Sequence, residues 1–525
     1  MKLALIEITC PDIRAYGVRC LSSYLQSRGH DVRLLFLPPG MEMLRHETGI
    51  VPDYEQDLLD QAAEVLKDRD MVGVSFMTYY FWRATQLADF LKKKLKVPVI
   101  SGGVHSTVRT EECLETFDFA AQGESEETLA ELCDAMDAGK DPTKTLGFWF
   151  KKPNGDVIRN PMGRLVQNIE DLGYPDWHLK DHWSFFHDTK TIKRLDDENV
   201  KEFFRDGPLQ PMGDFYHYKT MGSRGCPHNC SYCCVSTYRE AYEKQRFLRW
   251  RPMDNFIGEL EQIKKRFPYI NAFGFFDDAF FSTSVKKIKE FADLYKERIG
   301  LPFAVQTSPT TTTEEKLDLV YNAGMRYIEM GIQTGSTRIK ERYDRNFPNE
   351  RVVAAATYIN KYKGKILPPD YHLMLDNPWE TPEDVKDTLD LMLKLPRPFM
   401  LKPSSLVLYP GTGVHQAAVE EGIVKDEKAQ VYRKAFGAPH ATWLNYLILI
   451  SGNPMVPRPM IRFLAKDVFV KMLQKEQYTK QIGTLRERTE LLFKAGRGFQ
   501  MLFKGDFGRL YRRLFAQRAI EHARY

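Results

Sequence analysis

The sequence predicts an α/β protein with a doubly wound, Rossmann-like parallel sheet, a partial (β/α) barrel of six units and a helical C-terminal region. Three observations predict this class. Short apolar segments alternate with amphipathic ones over residues 1–140 and again over residues 216–425, the pattern of parallel sheets covered by helices. A polar stretch, residues 141–215, separates the two runs. Residues 426–525 are helical in pattern and basic. A chain of 525 residues is long enough for two or three well-buried domains.

The first alternating region contains the strand patterns LALIEI, VRLLFL, MVGVSFM and VPVISGG, with helix patterns between them. Parallel sheets of this kind bind ligands beyond the carboxyl ends of their strands. Small residues cluster near those ends, where a large ligand can approach the backbone closely. The candidate ligand-binding residues of this edge are Ser75, Gly102, Gly103, Gly123 and the neighbouring Glu124.

The middle region, residues 141–215, is predicted to be a hairpin followed by a linker. Asn154-Gly155 between apolar flanks is a strong signal for a two-residue hairpin turn. The stretch that follows is rich in charge, proline and glycine, and residues 186–206 mix acidic and basic side chains. We expect connecting or lid material in this stretch rather than core.

The second alternating region carries six strand patterns, from HYKTM to SSLVLY, which suffice for a partial barrel but not for a full eight-unit one. The segment SRGCPHNCSYCC follows the first of these strands. Cys226, Cys230 and Cys233 would therefore lie on the face of the barrel where catalytic residues gather. Three thiolates can hold a [4Fe–4S] cluster and leave one iron open to a small molecule.

A structural zinc site is the alternative for these cysteines, and it would need a fourth ligand. His228 lies in a tight loop that points it away, and Cys234 follows Cys233 directly, which would strain a tetrahedral site. Cys234 is therefore interpreted as a packing residue. The remaining cysteines are scattered and are expected to be buried small apolar residues, namely Cys10, Cys20, Cys113 and Cys133. This usage predicts a reducing compartment, the cytoplasm.

The charge of the chain is concentrated near its end. The net charge is +5, yet residues 458–525 hold 16 Lys/Arg against 6 Asp/Glu. The segments WLNYLILI, PRPMIRFLAKDVFVKML and FGRLYRRLF combine apolar and basic side chains, as helices lying on an anionic membrane do. The alternative is a helical cap on the barrel with a solvated basic face. No run approaches the roughly 18 apolar residues that span a bilayer, and neither DNA binding nor a known RNA-binding motif is indicated.

The cysteine loop, with Tyr232 before its last cysteine, resembles the signature of the radical S-adenosylmethionine (SAM) superfamily. Four further segments resemble family elements and occur in the family's order, namely FFDDAF, IEMGIQTGS, LDNPWET and LYPGTGV. In LDNPWET, Asn377 stands in place of a glycine of the family element. The resemblance implies that Asp277, Asp278, Glu329 and Gln333 contact SAM. A helix cap for the two aspartates, and a core network for Glu329 and Gln333, are the structural alternatives.

The first region resembles the cobalamin-binding domain that precedes the barrel in one branch of that superfamily. The segments that carry this resemblance are GVRCLSSYLQSRGHDVRLL, SGGVHST and AAQGESEETLAEL. It implies that cobalamin contacts Ser75, Gly102, Gly103, Gly123 and Glu124, and also His105, for which packing is an equal alternative. The loop TCPDIRAYG lacks the histidine of the DxHxxG motif, so base-off cobalamin without a histidine ligand is expected. A domain that has lost its cofactor is the alternative.

The resemblance also implies the reaction. A reduced cluster would cleave SAM to methionine and a 5′-deoxyadenosyl radical, and with methylcobalamin the first hypothesis is C-methylation of an unactivated carbon in a small or lipid-like substrate. An electron donor such as flavodoxin or ferredoxin would be needed. Radical cyclisation, oxidation or rearrangement is the alternative among enzymes. A degenerate enzyme acting as a membrane- or RNA-binding module is the alternative from another class. The predicted location is cytoplasmic, with peripheral contact to the inner face of the membrane.

Overall fold

The protein is described here by a computed structural model that covers residues 1–8, 13–38, 52–205, 207–432, 437 and 439–503. Its N-terminal half is one nine-stranded sheet. The strands are β1 (Lys2–Glu7), β2 (Asp31–Phe36), β3 (Met71–Ser75), β4 (Val99–Gly102), β5 (Phe119–Ala121), β6 (Phe148–Lys151), β7 (Val157–Arg159), β8 (His182–Phe186) and β9 (Thr191–Arg194). Their spatial order is β7-β6-β5-β4-β3-β1-β2-β8-β9. Strands β1 to β5 and β8 pair in parallel, whereas β6, β7 and β9 run antiparallel to their neighbours.

Helices cover both faces of this sheet, as the apolar strand patterns predict. They are α1 (Tyr16–Ser27), α2 (Gln56–Leu66), α3 (Phe81–Leu95), α4 (Val104–Val108), α5 (Thr110–Cys113) and α6 (Glu126–Asp137). Successive residues of a strand point to opposite faces. Leu3 and Leu5 of β1 therefore pack in the core that includes α1 and α6, and Ala4 and Ile6 pack in the core that includes α2 and α3. The predicted doubly wound domain is confirmed.

Residues 141–215 are structured more fully than the sequence predicts. The hairpin at Asn154-Gly155 forms as β6 and β7, but it extends one edge of the first sheet, and β8 and β9 extend the other. Val200 and Phe204 are fully buried, and Phe204 packs on Trp177 with ring centroids 5.1 Å apart. The prediction that a linker follows the hairpin is therefore corrected. The many charged side chains of residues 186–206 made the buried apolar residues among them difficult to recognise in the sequence.

The second half of the chain forms the predicted partial barrel. Its strands are β10 (His217–Thr220), β11 (Ser223–Arg224), β12 (Arg249–Trp250), β13 (Ala272–Phe275), β14 (Phe303–Thr307), β15 (Met325–Gln333), β16 (Asp370–Leu375) and β17 (Met400–Ser405). Six of them form a parallel sheet in the order β10-β13-β14-β15-β16-β17, and β11 pairs with β12 alone. The sixth strand begins four residues before the predicted SSLVLY segment.

Helices follow the barrel strands and then continue as a C-terminal region. They are α7 (Cys234–Ala241), α8 (Met253–Arg266), α9 (Val285–Arg298), α10 (Glu314–Ala323), α11 (Thr337–Arg342), α12 (Asn349–Asn360), α13 (Pro382–Lys394), α14 (Gly413–Glu420), α15 (Trp443–Ser451), α16 (Arg458–Leu464), α17 (Asp467–Leu473) and α18 (Thr479–Phe503). Helix α15 packs against α13 and attaches the C-terminal helices to the barrel. Within the part of the chain that the structure describes, no helix is long and apolar enough to cross a membrane.

Candidate active site

The three predicted cysteines lie in the loop between β11 and α7, at the end of the barrel where the strands terminate. Cys230 is buried, whereas Cys226 and Cys233 are half-buried. Gly225 enters the loop with φ +86°, and a Cβ there would lie 2.6 Å from the carbonyl oxygen of Phe247. Only glycine fits this conformation and this close approach. The backbone therefore turns sharply just before the first cysteine.

The donor set fits an iron–sulfur cluster better than one zinc ion. Among the described residues, no three His, Cys, Asp or Glu side chains are arranged to hold a single metal ion. A cuboidal cluster does not need its three thiolates to converge on a point, because each binds a different iron. The proposed fourth zinc ligand, His228, is instead 3.1 Å from the hydroxyl of Ser308 through Nε2. Three of the other cysteines, Cys20, Cys113 and Cys133, are buried as predicted, and Cys10 lies outside the described residues.

Arg345 contacts the cysteine loop although the sequence did not single it out. Its Nη1 donates to Sγ of Cys230 at 3.4 Å and to the hydroxyl of Tyr232 at 3.2 Å, and its Nη2 donates to the carbonyl of Gly331 at 2.7 Å. A buried guanidinium on a thiolate stabilises the negative charge of the sulfur. No local spacing signals this contact, because Arg345 lies 115 residues beyond Cys230 in the chain.

A cavity of about 340 Å³ lies between the first sheet and the cysteine loop. Its first wall is the carboxyl edge of β1, β3, β4 and β5, and contains Ser75, Gly102, Gly103, Gly123 and Glu124 as predicted. Its second wall comes from the barrel and consists of Met221, Ser223, Arg224, Gly225 and Asp278. The neighbouring strands β3 and β1 are where the strand order reverses, which is the usual ligand position in open α/β sheets.

Two glycines of the first wall are required by the backbone. Gly103 has φ +90°, and a Cβ there would lie 2.7 Å from the carbonyl oxygen of Phe76. Gly123 has φ +71°, and a Cβ there would lie 1.9 Å from the hydroxyl of Tyr242, which follows α7. Gly123 is therefore needed for the contact between the two domains as well as for the shape of the cavity.

Glu124 lines the cavity, but its carboxylate is held by arginines of the barrel. Arg224 donates to Glu124 at 2.9 Å and to Glu126 at 2.7 Å, and Arg249, which is 1% exposed, also donates to Glu124. Burial alone would raise the pKa of Glu124, but the charges of Arg224 and Arg249 hold it below its ordinary value. This buried ion-pair network joins the first domain to β11 and β12, next to the cysteine loop.

His105 does not reach the cavity, and the prediction that it contacts cobalamin is corrected. Its ring is fully buried, with Nδ1 3.1 Å from the hydroxyl of Thr78. The ring packs against those of Phe76, Phe81 and Tyr432. The packing alternative is therefore the one that the structure supports. The described residues that line the cavity include no histidine.

The two adjacent aspartates have different surroundings. Asp278 is exposed, lines the cavity and has its carbonyl oxygen 4.0 Å from Sγ of Cys226. Asp277 is fully buried and accepts hydrogen bonds from the backbone N–H of Gly222 at 2.9 Å and from the hydroxyl of Ser223 at 2.5 Å. Burial raises the pKa of Asp277 to about 6 in spite of these hydrogen bonds. Asp278 is thus placed to contact a ligand, whereas Asp277 holds the strand that leads to the cysteines.

Glu329 lies in the barrel lumen within a polar network. Its carboxylate accepts hydrogen bonds from Gln306 at 3.2 Å and Tyr327 at 3.1 Å, and it also pairs with His372 at 3.2 Å and with Lys402. Burial would raise its pKa, but His372 and Lys402 bring the pKa down to about 2. This arrangement matches the core-network alternative. Lys402 and His372 stay 47% and 33% exposed and present polar groups to the lumen.

Gln333 ends β15 with φ +73°. A Cβ on Gly331 would lie 2.9 Å from Nε2 of Gln333, so the Gln333 side chain folds back over that glycine. The carbonyl of the same glycine accepts from Arg345. Gln333 is therefore connected to Cys230 through Gly331 and Arg345.

Comparison with known proteins agrees with both halves of this site. Residues 221–392 match the model of the radical SAM superfamily, and residues 9–133 match the model of the B12 binding domain. Together the two matches cover more than half of the chain. They include the cysteine loop and the glycine edge.

Relatives of known sequence span most of the chain. The uncharacterized methyltransferase PH0819 of Pyrococcus horikoshii is 25% identical over 389 residues, which cover 72% of this chain and 76% of the relative. Bacteriochlorophyllide d C-8(2)-methyltransferase of Chlorobaculum tepidum is 23% identical over 399 residues, which cover 74% and 76%.

Solved structures share the fold. The radical SAM methyltransferase TsrM of Kitasatospora setae superposes with a TM-score of 0.59 at 17% identity, covering 80% of this chain and 76% of TsrM. The cobalamin-dependent radical SAM enzyme OxsB gives a TM-score of 0.57 at 16% identity, covering 99% and 72%. The two family matches make the chain a radical SAM enzyme. It belongs to the branch in which a cobalamin-binding domain precedes the barrel, and its cofactors are a [4Fe–4S] cluster, SAM and cobalamin.

Proposed function

We propose that this enzyme transfers a methyl group to an unactivated carbon of an apolar, lipid-like substrate. The observation that carries the proposal is the shared cavity, in which the glycine edge of the first domain faces Gly225 and Asp278 beside the cysteine loop. A methyl donor on one wall and a hydrogen-abstracting centre on the other would meet the same substrate carbon. The two relatives described above, both methyltransferases by name, support this reaction type.

The bound groups supply the reactive chemistry. For each methylated carbon, two SAM molecules and two electrons give methionine, 5′-deoxyadenosine and S-adenosylhomocysteine, with the substrate C–H becoming C–CH₃ and cobalamin carrying the methyl group. A reduced flavodoxin or ferredoxin is the class of partner that supplies the electrons. The absence of histidine from the described wall of the cavity supports cobalamin bound without a histidine ligand.

The residues of the chain orient these groups and exclude water. Arg345 supplies a donor to Cys230, and Asp277 fixes Gly222 and Ser223 at the entrance to the cysteine loop. Apolar side chains of the cavity wall keep water from a reactive carbon, and they include Leu5, Ile6, Val18 and Leu129. In the lumen, Lys402 and His372 are the polar groups that a substrate headgroup would meet.

The test is anaerobic reconstitution of the full chain with iron, sulfide and hydroxocobalamin, followed by incubation with CD₃-labelled SAM, a reductant and separated lipid and aqueous cell extracts. The proposal predicts a CD₃ mass shift in the lipid fraction, with S-adenosylhomocysteine formed alongside 5′-deoxyadenosine. If 5′-deoxyadenosine forms without S-adenosylhomocysteine, the reaction is cyclisation, oxidation or rearrangement. Label confined to the aqueous fraction would contradict a lipid-like substrate.

A further inference from the structure

Exposed apolar side chains are concentrated on the C-terminal helices. Twelve large hydrophobic residues of the described chain are exposed, and eight of them lie between residues 455 and 492. They are Met455, Met460, Phe463, Val468, Met472, Leu485, Leu491 and Leu492. Single exposed apolar residues are ordinary, but a concentration of this kind marks a surface that contacts something else.

The helices that carry these residues pack against one another and against α15. Ile461 of α16, Val470 of α17 and Ile482 of α18 are buried and face inward. Trp443 of α15 donates through Nε1 to the carbonyl of Leu464 at 2.9 Å, which ties α16 to α15. The exposed apolar side chains are therefore the outward faces of packed helices.

Helix α15 in turn connects these helices to the catalytic end of the barrel. The side chain of Asn445 donates to Asp376 at 2.9 Å, and the backbone N–H of His440 donates to the same carboxylate at 2.8 Å. Asp376 directly follows β16. Through α15, the helices that carry the exposed apolar side chains are thus joined to the carboxyl end of β16.

Basic side chains surround the apolar ones. Between residues 458 and 475 there are five Lys/Arg and one acidic residue, Asp467, which is paired with Lys386 of the barrel. Lys466 lies 5.2 Å from the ring centroid of Phe463, and that ring lies 5.1 Å from that of Phe469. Aromatic and aliphatic groups with lysines among them suit a bilayer, where apolar tips enter the acyl boundary and lysines meet anionic headgroups. Lysine is depleted in protein–protein interfaces, and nucleic acids offer no acyl phase.

We propose that α16 and α17 dock the enzyme on an anionic lipid bilayer. Phe463, Val468 and Met472 are the inserted side chains, and Arg462 and Lys471 contact the headgroups. Docking would bring the catalytic end of the barrel near an apolar substrate pool. The proposal does not depend on methyl transfer, since the binding surface uses no cofactor and lies outside the cavity.

The test is vesicle flotation with the full chain, using phosphatidylcholine alone or mixed with one third phosphatidylglycerol. The anionic vesicles should bind at least about tenfold more protein, and high salt should weaken binding. The triple change Phe463→Ser, Val468→Ser and Met472→Ser should reduce binding by about tenfold or more, and Arg462→Glu with Lys471→Glu should do the same. The double change Leu146→Ser and Val419→Ser alters exposed apolar residues elsewhere and should leave binding unchanged.

Four results would overturn the proposal. The first is no flotation of the unmodified chain with anionic vesicles. The second is flotation of both C-terminal variants to the same extent as the unmodified chain. Each variant is first checked for unchanged circular dichroism and cobalamin binding. The third is light scattering that shows a dimer of the unmodified chain and a monomer of the triple variant. That result would make this face an interface between two copies. The fourth is tighter binding to single-stranded RNA than to vesicles, which would make nucleic acid the partner of this surface.

Discussion

The guanidinium of Arg224 lies 2.9 Å from the carboxylate of Glu124 and joins the cobalamin-binding domain to the barrel two residues before the first cluster cysteine. Arg249 contacts the same carboxylate from β12. The pair lies on the wall of the shared cavity. The relative position of the two cofactor sites therefore depends on a buried charge network.

Replacing Glu124 with glutamine should destabilise the protein by about 2–4 kcal/mol, because the buried Arg249 loses its carboxylate partner and Arg224 keeps only Glu126. Urea unfolding of the cluster-free chain measures the change. Glu261→Gln is the matched control, since Glu261 pairs with Arg298 at the surface and its loss should cost about 1 kcal/mol or less. Equal effects of the two changes would contradict a buried network.

Substitution of any one of Cys226, Cys230 and Cys233 by alanine should abolish cluster retention and SAM cleavage. Each supplies one of the three thiolates of the cluster, and the nearby His228 is held by Ser308. Iron and sulfide analysis after reconstitution should fall from about four per chain to near zero. Cys234→Ala is the control and should keep its iron. Retention of iron by the Cys230 variant would contradict the assignment.

Changing Arg345 to methionine should lower the reduction potential of the cluster by roughly 50–100 mV, the equivalent of losing one hydrogen bond to a charged sulfur. An EPR-monitored redox titration measures it. Arg342→Lys is the control, because Arg342 stacks on Trp379 at 3.7 Å and does not contact the cysteines. An unchanged potential in the Arg345 variant would show that this contact only supports the loop.

Leucine at Gly102 should weaken cobalamin binding by about tenfold or more while leaving the fold intact. Gly102 lines the cavity, and the nearest atom to an added Cβ is 3.8 Å away, so the larger side chain does not collide with its own domain. Absorbance titration with hydroxocobalamin measures the affinity. Gly483→Leu, on a half-exposed position of α18, should bind cobalamin normally.

The stability of the cluster-free chain should fall as pH rises from about 4 to 6 because of Asp277. The pKa of this residue is about 6 in the folded protein and about 3.9 when unfolded. The folded state therefore binds more protons in this window, and deprotonation costs up to about 3 kcal/mol. Urea unfolding at several pH values tests this. Asp277→Asn should flatten the dependence between pH 4 and 6, and a profile unchanged by the substitution would contradict it.

The features that the sequence predicts well are local ones. The cysteine loop is read from three residues within eight positions, and the strands from short apolar runs. Glu329 and His105 were harder to interpret, because their partners come from distant segments; Lys402 lies 73 residues from Glu329. No sequence pattern indicated the contact between Arg345 and Cys230, since this contact depends on how α11 and β15 are placed around Cys230. Long-range side-chain contacts are set by packing, which a single sequence does not display.

The two hairpins that complete the first sheet also affect how the protein is made. As the chain leaves the ribosome, β1 to β5 emerge before β6 and β8, so the growing polypeptide exposes two unpaired strand edges. The second wall of the cavity is complete only when residues 221–225 and Asp278 have been synthesised. A nascent chain cannot enclose the corrinoid before that point, which makes cofactor loading a late step of maturation and makes shortened N-terminal fragments prone to aggregate.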